Sequence, residues 1–387
     1  MILSASSPPK RVALLIETTR TYTRDILAGI RQYVARHGPW STFIEIGDFE
    51  REPPAWLHRW DGDGILTRTF TPEMARVIRE SGLPAIELRS PKLCPGLPFC
   101  GMNNQRLGTL VAKHFLNRGY RKFAAYTLDI EPFFRERISN YRRTLAGEGH
   151  ACDALPAEED GHPGDWEKNQ ERLVNWLLGL PKPVGIFAAN DQLGVRLLDA
   201  CQRAGLHVPE EIAVVGAENE VTLCEFASPT LTSVAFNGRE VGYQAAEALD
   251  RLMSGQSLKE REMLIESPGI VTRESSDDLV IEDLLIRDAV KLIRERALDG
   301  TNVNDVCRIL HVSRSTLERR MKQALGRPPK AELLRIRFKE VERLLQETDL
   351  TIEAISDQTG FAHCHYMQNH FKRRYGLTPG EFRKNRK

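Results

Sequence analysis

No apolar run in the 387 residues approaches the ~18–20 needed to span a bilayer, although 41% of the chain is hydrophobic. Met1 to Pro9 offers two apolar residues and then Ser and Pro, so neither a signal peptide nor an anchor is expected there. Cysteine is sparse, at 94, 100, 152, 201, 224, 307 and 364, with no CxxC pair. An odd number of thiols without a secretion signal reads as reduced cysteine, and the expected location is cytoplasmic. Catalytic motifs are missing as well: no GxSxG, HExxH or GxxxxGKS/T occurs. The first strand candidate runs into Glu17-Thr18-Thr19-Arg20 without the glycine-rich turn of a phosphate cradle. Asp61-Gly62-Asp63-Gly64 lacks the later ligands of a calcium loop and reads as a turn. The expectation is a protein that is not an enzyme and has no metal or cofactor.

What is present is unevenly spread. The formal charge of +1 conceals a split at residue 281. Beyond it stand 22 Lys and Arg against 15 Asp and Glu; before it stand 32 against 38. A basic tail on an acidic body is the electrostatic footprint of a polyanion binder, the other reading being a solvated basic surface.

Through residue 270, short β-branched runs alternate with amphipathic stretches. Strands are expected at Val12–Ile16, Phe43–Ile46, Gly64–Thr67, Ala85–Leu88, Phe123–Tyr126, Gly185–Ala189 and Ile212–Gly216. Helices are expected at Asp25–Arg36, Thr71–Ser81, Arg106–Arg118, Glu167–Leu178 and Leu193–Ala204. This β-α-β-α order predicts parallel sheets covered on both faces, and its length predicts two such lobes. Two lobes of this kind take a small ligand in the crevice at the carboxyl ends of their strands.

Gly185-Ile-Phe-Ala-Ala-Asn190-Asp191-Gln-Leu-Gly194 resembles the strand-to-helix signature of LacI-type regulators and periplasmic sugar-binding proteins. So do Val208-Pro-Glu-Glu-Ile-Ala-Val-Val-Gly216-Ala-Glu218-Asn219 and Ser228-Pro-Thr-Leu-Thr-Ser-Val234, while Gly101-Met-Asn103-Asn104-Gln-Arg-Leu-Gly108 is similar to that fold's lobe-crossing segment. The resemblance covers most of residues 10–272 and implies a two-lobed α/β sensor that holds a sugar through Asp, Asn and Arg, with a ring against the sugar's apolar face. Polyol hydroxyls donate and accept, and carboxylate and guanidinium supply charge-assisted bonds. By position the resemblance implies Arg137, Asn190 and Glu218 as ligand residues, with Arg24 and the ring of Tyr22 from the first lobe. The alternative for each is a surface salt bridge or a helix cap. Asp191 reads rather as a carboxylate at a helix N-terminus. Glu218 stands where the family usually has Asp, one methylene longer.

Residues 284–387 read as an all-α domain, joined through a linker at 273–283; residues 1–9 read as a flexible tail. Val303 to Met321 has the pattern helix, tight turn, helix, with Ser313 as N-cap. After a long helix, Ala331 to Leu345, the pattern recurs and ends in Gly376-Leu-Thr378-Pro379-Gly-Glu381-Phe-Arg383, a capping box with proline at the first helical position. Two helix-turn-helix units, about 303–325 and 352–375, resemble the AraC/XylS-type DNA-binding domain. The second helix of each unit enters a major groove. Ser315, Glu318, Arg319, Cys364, His365, Gln368 and Asn369 are then the base-reading candidates, with Arg319 suited to guanine and Gln368 or Asn369 to adenine. Lys322, Arg373, Arg374 and Arg383 are the phosphate candidates. His363, Cys364, His365 and His370 lack the paired spacing of a zinc site.

A LacI-like sensor ahead of an AraC-type tail resembles the xylose-responsive regulators. That resemblance implies a homodimeric transcription activator of carbohydrate genes, with D-xylose as effector, promoter double-stranded DNA and RNA polymerase as partners, and no membrane. Another pentose or hexose is the alternative effector.

Overall fold

The structure is a computed structural model that describes residues 8–44, 53–128, 131–155, 166–277 and 283–384. The chain divides into two compact units, Met1–Asp278 and Leu279–Lys387.

The first unit opens with β1 (Lys10–Leu15), α1 (Thr21–His37), β2 (Trp40–Ile44), β3 (Gly64–Thr67), α2 (Pro72–Glu80), β4 (Ala85–Glu87) and β5 (Phe99–Met102). The chain then passes to a second lobe through α3 (Asn104–Asn117), β6 (Lys122–Tyr126), α4 (Pro132–Gly147), β7 (Cys152–Ala154), α5 (Trp166–Gly179), β8 (Val184–Ala188), α6 (Asp191–Arg203), β9 (Ile212–Glu218), α7 (Val221–Phe226) and β10 (Thr232–Ala235). It returns with α8 (Gly238–Met253) and β11 (Glu262–Ile265) and crosses a third time into β12 (Gly269–Val271). Each lobe is one six-stranded sheet, in the orders β11-β5-β4-β3-β1-β2 and β12-β10-β9-β8-β6-β7. All pairs are parallel except β10 with β12. Central strands such as Val184–Ala188 are buried along their whole length, which is why they read as unbroken apolar runs.

The five expected helices are found as α1, α2, α3, α5 and α6, whereas α4, α7 and α8 were not among them, and the first strand of each lobe is found as expected. The short strands β5, β7, β10, β11 and β12 were not expected from the sequence. Of the expected strand Phe43–Ile46, residues 45 and 46 lie outside the described residues. Helices α1 and α8 cross in contact because Gly29 and Gly242 lie at the crossing. A Cβ on Gly29 would sit 2.0 Å from the Arg239 carbonyl oxygen, and one on Gly242 2.0 Å from that of Ile26.

The packed body runs beyond the expected boundary at 272. Ser275 and Ser276 are fully buried. Ser275 Oγ donates to the Val214 carbonyl at 2.7 Å, and Ser276 Oγ bonds His114 Nε2 at 2.8 Å and Thr232 Oγ1 at 2.9 Å. Arg118 on α3 clasps the Ser276 carbonyl at 2.9 Å. Burial next to Arg118 pulls the His114 imidazole down to about 3, so it is neutral and takes part as a fixed hydrogen-bonding ring. Residues 273–277 therefore pack as the end of the sensor. At the other end of the expected linker, Asp283 caps α9 and pairs with Arg320, within the second unit.

The second unit contains α9 (Leu284–Arg296), α10 (Val303–Ile309), α11 (Arg314–Leu325), α12 (Pro329–Glu347), α13 (Ile352–Gln358), α14 (Cys364–Tyr375) and α15 (Pro379–Lys384). Val306, Leu317 and Met321 join α10 and α11 in one core, and Ile355, Met367 and Phe371 join α13 and α14 in another. Helix α12 contributes Leu333 to the first and Phe338, Val341 and Leu345 to the second.

Candidate functional site

The crevice of the first unit lies at the carboxyl ends of both sheets. It is lined by Arg20, Tyr22, Arg68, Arg89, Asn104, Phe133, Arg137, Glu218 and Phe236, among others. Arg137 lies on the buried face of α4 with Phe133, Phe134 and Tyr141, and only 3% of it is exposed. Its Nε donates to Asn104 Oδ1 at 2.9 Å; its Nη1 donates to the Ala189 carbonyl at 2.7 Å and to Glu218 Oε1 at 3.3 Å. The rings of Phe133 and Phe236 lie 4.9 Å from its Cζ. Burial pulls the guanidinium below its ordinary pKa and Glu218 opposes that, so the charge persists at neutral pH.

Glu218 ends β9 with φ 105°, and Asn219 follows at φ 50°. Left-handed backbone in two consecutive non-glycine residues is costly and persists only where surrounding contacts fix it. Those contacts are present. Asn219 N–H donates to Ser233 Oγ at 3.0 Å, Glu220 N–H donates to Asp191 Oδ2 at 2.7 Å, and Ser233 Oγ donates to Asp191 Oδ1 at 2.5 Å. Asp191 thus acts as the brace that aims Glu218 at Arg137. Burial, above all, pushes its carboxyl up to about 7.

Arg137, Glu218 and Tyr22 converge as the sequence led us to expect. The Tyr22 ring packs edge-on against Phe236 at 5.1 Å, and burial raises its hydroxyl pKa. Two expected residues do not join them. Asn190 is the N-cap of α6, its Oδ1 accepting from Leu193 N–H at 3.0 Å, so its carbonyl end is engaged in the helix. Arg24 is exposed and folds back on its own helix end, donating to the Thr18 carbonyl at 3.0 Å and Thr21 Oγ1 at 2.8 Å. Because α1 starts at Thr21, Arg24 lies roughly 200° round the helix from Tyr22. In its place the first lobe presents Arg20, Arg68 and Arg89, which our sequence reading passed over. Each lies within five residues of the end of a parallel strand, and that position was the legible signal.

In the second unit, Ser313 caps α11 and Leu317, Met321 and Leu325 bury one face of it. Ser315, Arg319 and Lys322 are exposed. Glu318 is half-buried and held by Arg314 at 2.9 Å. On α14, His365, Asn369, Arg373 and Arg374 are exposed, whereas Cys364 is half-buried and packs against the second core of the unit. Gln368 is half-buried and donates to Cys364 Sγ at 3.5 Å. Arg383 donates to the Leu350 carbonyl at 2.6 Å and ties α15 to the turn before α13, so that guanidinium is engaged within the domain. His370 packs against Tyr366 with ring centroids 4.3 Å apart. Among the described residues no three His, Cys, Asp or Glu gather as a metal site, and no helix is long and apolar enough to cross a membrane.

A two-lobed body with a charged crevice and a tail of two helix-turn-helix units define a ligand-sensing, DNA-binding regulator. Comparison with known proteins makes this particular. Residues 11–103 match the XylR N-terminal domain, 112–276 a periplasmic binding protein-like domain, and 306–385 a helix-turn-helix domain. The xylose operon regulatory protein of Haemophilus influenzae is 30% identical over 97% of this chain and 98% of its own. Its Escherichia coli counterpart is 28% identical over 96% of each. The solved structure of the xylose-binding transcription activator XylR superposes with a TM-score of 0.75 at 27% identity, covering 98% of both chains. The chain belongs to the family of xylose operon regulatory proteins. It is a sugar-sensing, DNA-binding transcription regulator, and its relatives are regulators rather than enzymes.

Proposed function

We propose that the chain is a cytoplasmic activator of genes for xylose uptake and breakdown, with D-xylose held between the lobes. The observation that carries this reading is the Arg137–Glu218 pair at 3.3 Å, flanked by Tyr22 and Phe236, at the meeting of the lobes. A carboxylate and a guanidinium offer hydroxyls an acceptor and donors at one point, and the rings suit a sugar's apolar face. The relatives, a xylose operon regulatory protein and a xylose-binding transcription activator, support xylose. The sugar favours the closed lobes and shifts their population; the change leaves the sensor beyond Asp277 and alters how two subunits of a homodimer present their tails to promoter DNA and RNA polymerase. Ser315, Arg319 and Lys322 on α11, with His365, Asn369, Arg373 and Arg374 on α14, form the DNA-facing set.

The test is thermal unfolding of the full chain against pentoses and hexoses at millimolar concentration. At a hundred times its dissociation constant, a ligand stabilises the sensor by about 2.7 kcal/mol, a shift of several degrees. D-xylose is expected to give that shift. A shift from a different neutral sugar favours the second reading, another pentose or hexose, which the longer carboxylate of Glu218 supports. No shift with any sugar refutes the sensor assignment.

A further inference from the structure

β3 and β4 run parallel with Thr67 opposite Glu87, and both strands are buried along their whole length. Such positions normally carry apolar side chains, so an acid there needs a physical reason. Glu87 is fully buried, and its Oε1 accepts Arg89 N–H at 2.7 Å, Ser90 N–H at 3.2 Å and Thr69 N–H at 3.4 Å. These amides belong to the turns by which the chain leaves the two strands at the crevice. Thr69 and Ser90 are themselves buried, and a buried N–H without an acceptor is costly. The second lobe has the same device, in which the buried Asp191 carboxylate accepts Glu220 N–H and the Ser233 hydroxyl and aims Glu218.

What Glu87 holds in place is the root of the Arg89 side chain. Arg89 lies with its Cζ 3.7 Å from the Phe70 ring centroid and gives Nε, at 3.3 Å, and Nη2 to Glu131 of the second lobe. Glu131 stands at the N-terminal end of α4, the helix that carries Arg137. A bidentate pair is demanding in direction, and a long side chain meets that demand only from a fixed backbone. Arg89 also borders the recess that contains Arg137 and Glu218, so its bridge to Glu131 closes the crevice beside the sugar seat. We propose that Glu87 is a positioning residue for sugar binding: by accepting the amides of Thr69, Arg89 and Ser90 it aims Arg89 across the lobes at Glu131. The inference rests on the sugar-sensor reading of the crevice.

Isothermal titration of the full chain with D-xylose, or with whichever sugar raises its unfolding midpoint, tests this in a double-substitution cycle. Valine suits a buried strand but accepts no hydrogen bond, so Glu87→Val is expected to weaken the sugar about ten-fold. In an Arg89→Ala background the same substitution is expected to cost less than about two-fold, because no guanidinium remains to be aimed. Burial pushes the Glu87 carboxyl above its ordinary pKa, so a neutral side chain with an oxygen acceptor is its near substitute. Glu87→Gln is therefore expected to recover most of the affinity that Glu87→Val loses. Equal losses in both backgrounds would mark Glu87 as a general structural residue and overturn the proposal. Full affinity in Glu87→Val, or Glu87→Gln as weak as Glu87→Val, overturns it as well. If Glu87→Val does not fold, hydrogen exchange over residues 86–91 of the unsubstituted chain decides. The Arg89 and Ser90 amides are expected to exchange slowly with and without sugar, and rapid exchange in the sugar-free chain refutes the brace. If the unsubstituted chain binds no sugar, the sensor reading falls and this role with it; every other outcome leaves the sensor standing.

Discussion

Asp191 makes no contact with the Arg137 guanidinium, yet the direction of Glu218 depends on it. Its carboxyl is pushed up to about 7 by burial, with the Glu218 charge adding and the Ser233 hydroxyl and Glu220 amide opposing. A carboxyl whose folded pKa exceeds its unfolded value of about 4 favours folding while it is protonated. That contribution is complete below about pH 4 and is lost as the pH rises through 7. Asp191→Asn should therefore flatten the fall in sensor stability between pH 5 and 7.5, as read by thermal unfolding of both proteins across that range. Parallel profiles would remove Asp191 as the titrating group. The turns of the tail show the same dependence on single residues. His311 occupies the first turn at φ 49°, whereas Gly360 occupies the second at φ 71°, where a Cβ would sit 2.6–2.8 Å from backbone atoms of Leu298, Ala297 and Gly300. Gly360→Ala should destabilise the second unit by about 2 kcal/mol. Denaturant titration followed by helical circular dichroism measures it, and a change under half that size would count against the packing account.

At the scale of elements, α11 and α14 were legible because their apolar residues recur at helical spacing and their caps stand at fixed offsets. Which polar residues face outward was only partly legible. Arg319 is exposed and makes no ion pair among the described residues, whereas Cys364 and Arg383, equally plausible by position, turn toward the domain's own core and backbone. Arg319→Ala should weaken binding to the cognate operator by ~1–3 kcal/mol and relax the preference at one base pair. Competition binding against mutated operators measures this, and an unchanged ratio of specific to nonspecific affinity would sink the assignment. Salt-dependent binding without that loss of preference would instead mark Arg319 as a phosphate contact.

At the scale of the whole molecule, closure of the sensor is written in bonds between the lobes, one of them between residues 199 positions apart. Helix α1 has no cap from its own Arg20; the acceptor comes from the other lobe. Glu220 receives Thr21 N–H at 3.1 Å and Thr21 Oγ1 at 2.7 Å. Arg89 with Glu131 and Lys92 with Glu136 add two further pairs across the crevice. The Lys92 pair is largely solvated and contributes little. Removing the Thr21 hydroxyl by Thr21→Val deletes its bond across the lobes to Glu220, worth about 1.5 kcal/mol at the low end, and with it the exposed bond from Arg24 within the same helix end. Sugar affinity should fall by roughly ten-fold with an almost unchanged unfolding midpoint in the absence of ligand. Equal affinity in the variant would show that this bond does not hold the closed form.

Alternating strand and helix periods, the Asn190-Asp191 and Gly216 signatures and the repeated helix-turn-helix caps were enough to specify two α/β lobes and a DNA-binding tail, and the family resemblance they carry pointed to Arg137 and Glu218 as separate residues, because those features are local in sequence or stand at fixed offsets from a strand end. Tertiary structure alone decided the rest. β11 joins β5 from 163 residues away, Arg137 meets Glu218, Asn190 caps α6, Arg24 turns outward once α1 begins at Thr21, and Arg20, Arg68 and Arg89 come from three separate strand ends to one cavity. The reason is physical. A side chain's direction at an element's end is set by where the backbone starts or stops its hydrogen bonds, and charges from different strands meet only once the sheet order is fixed.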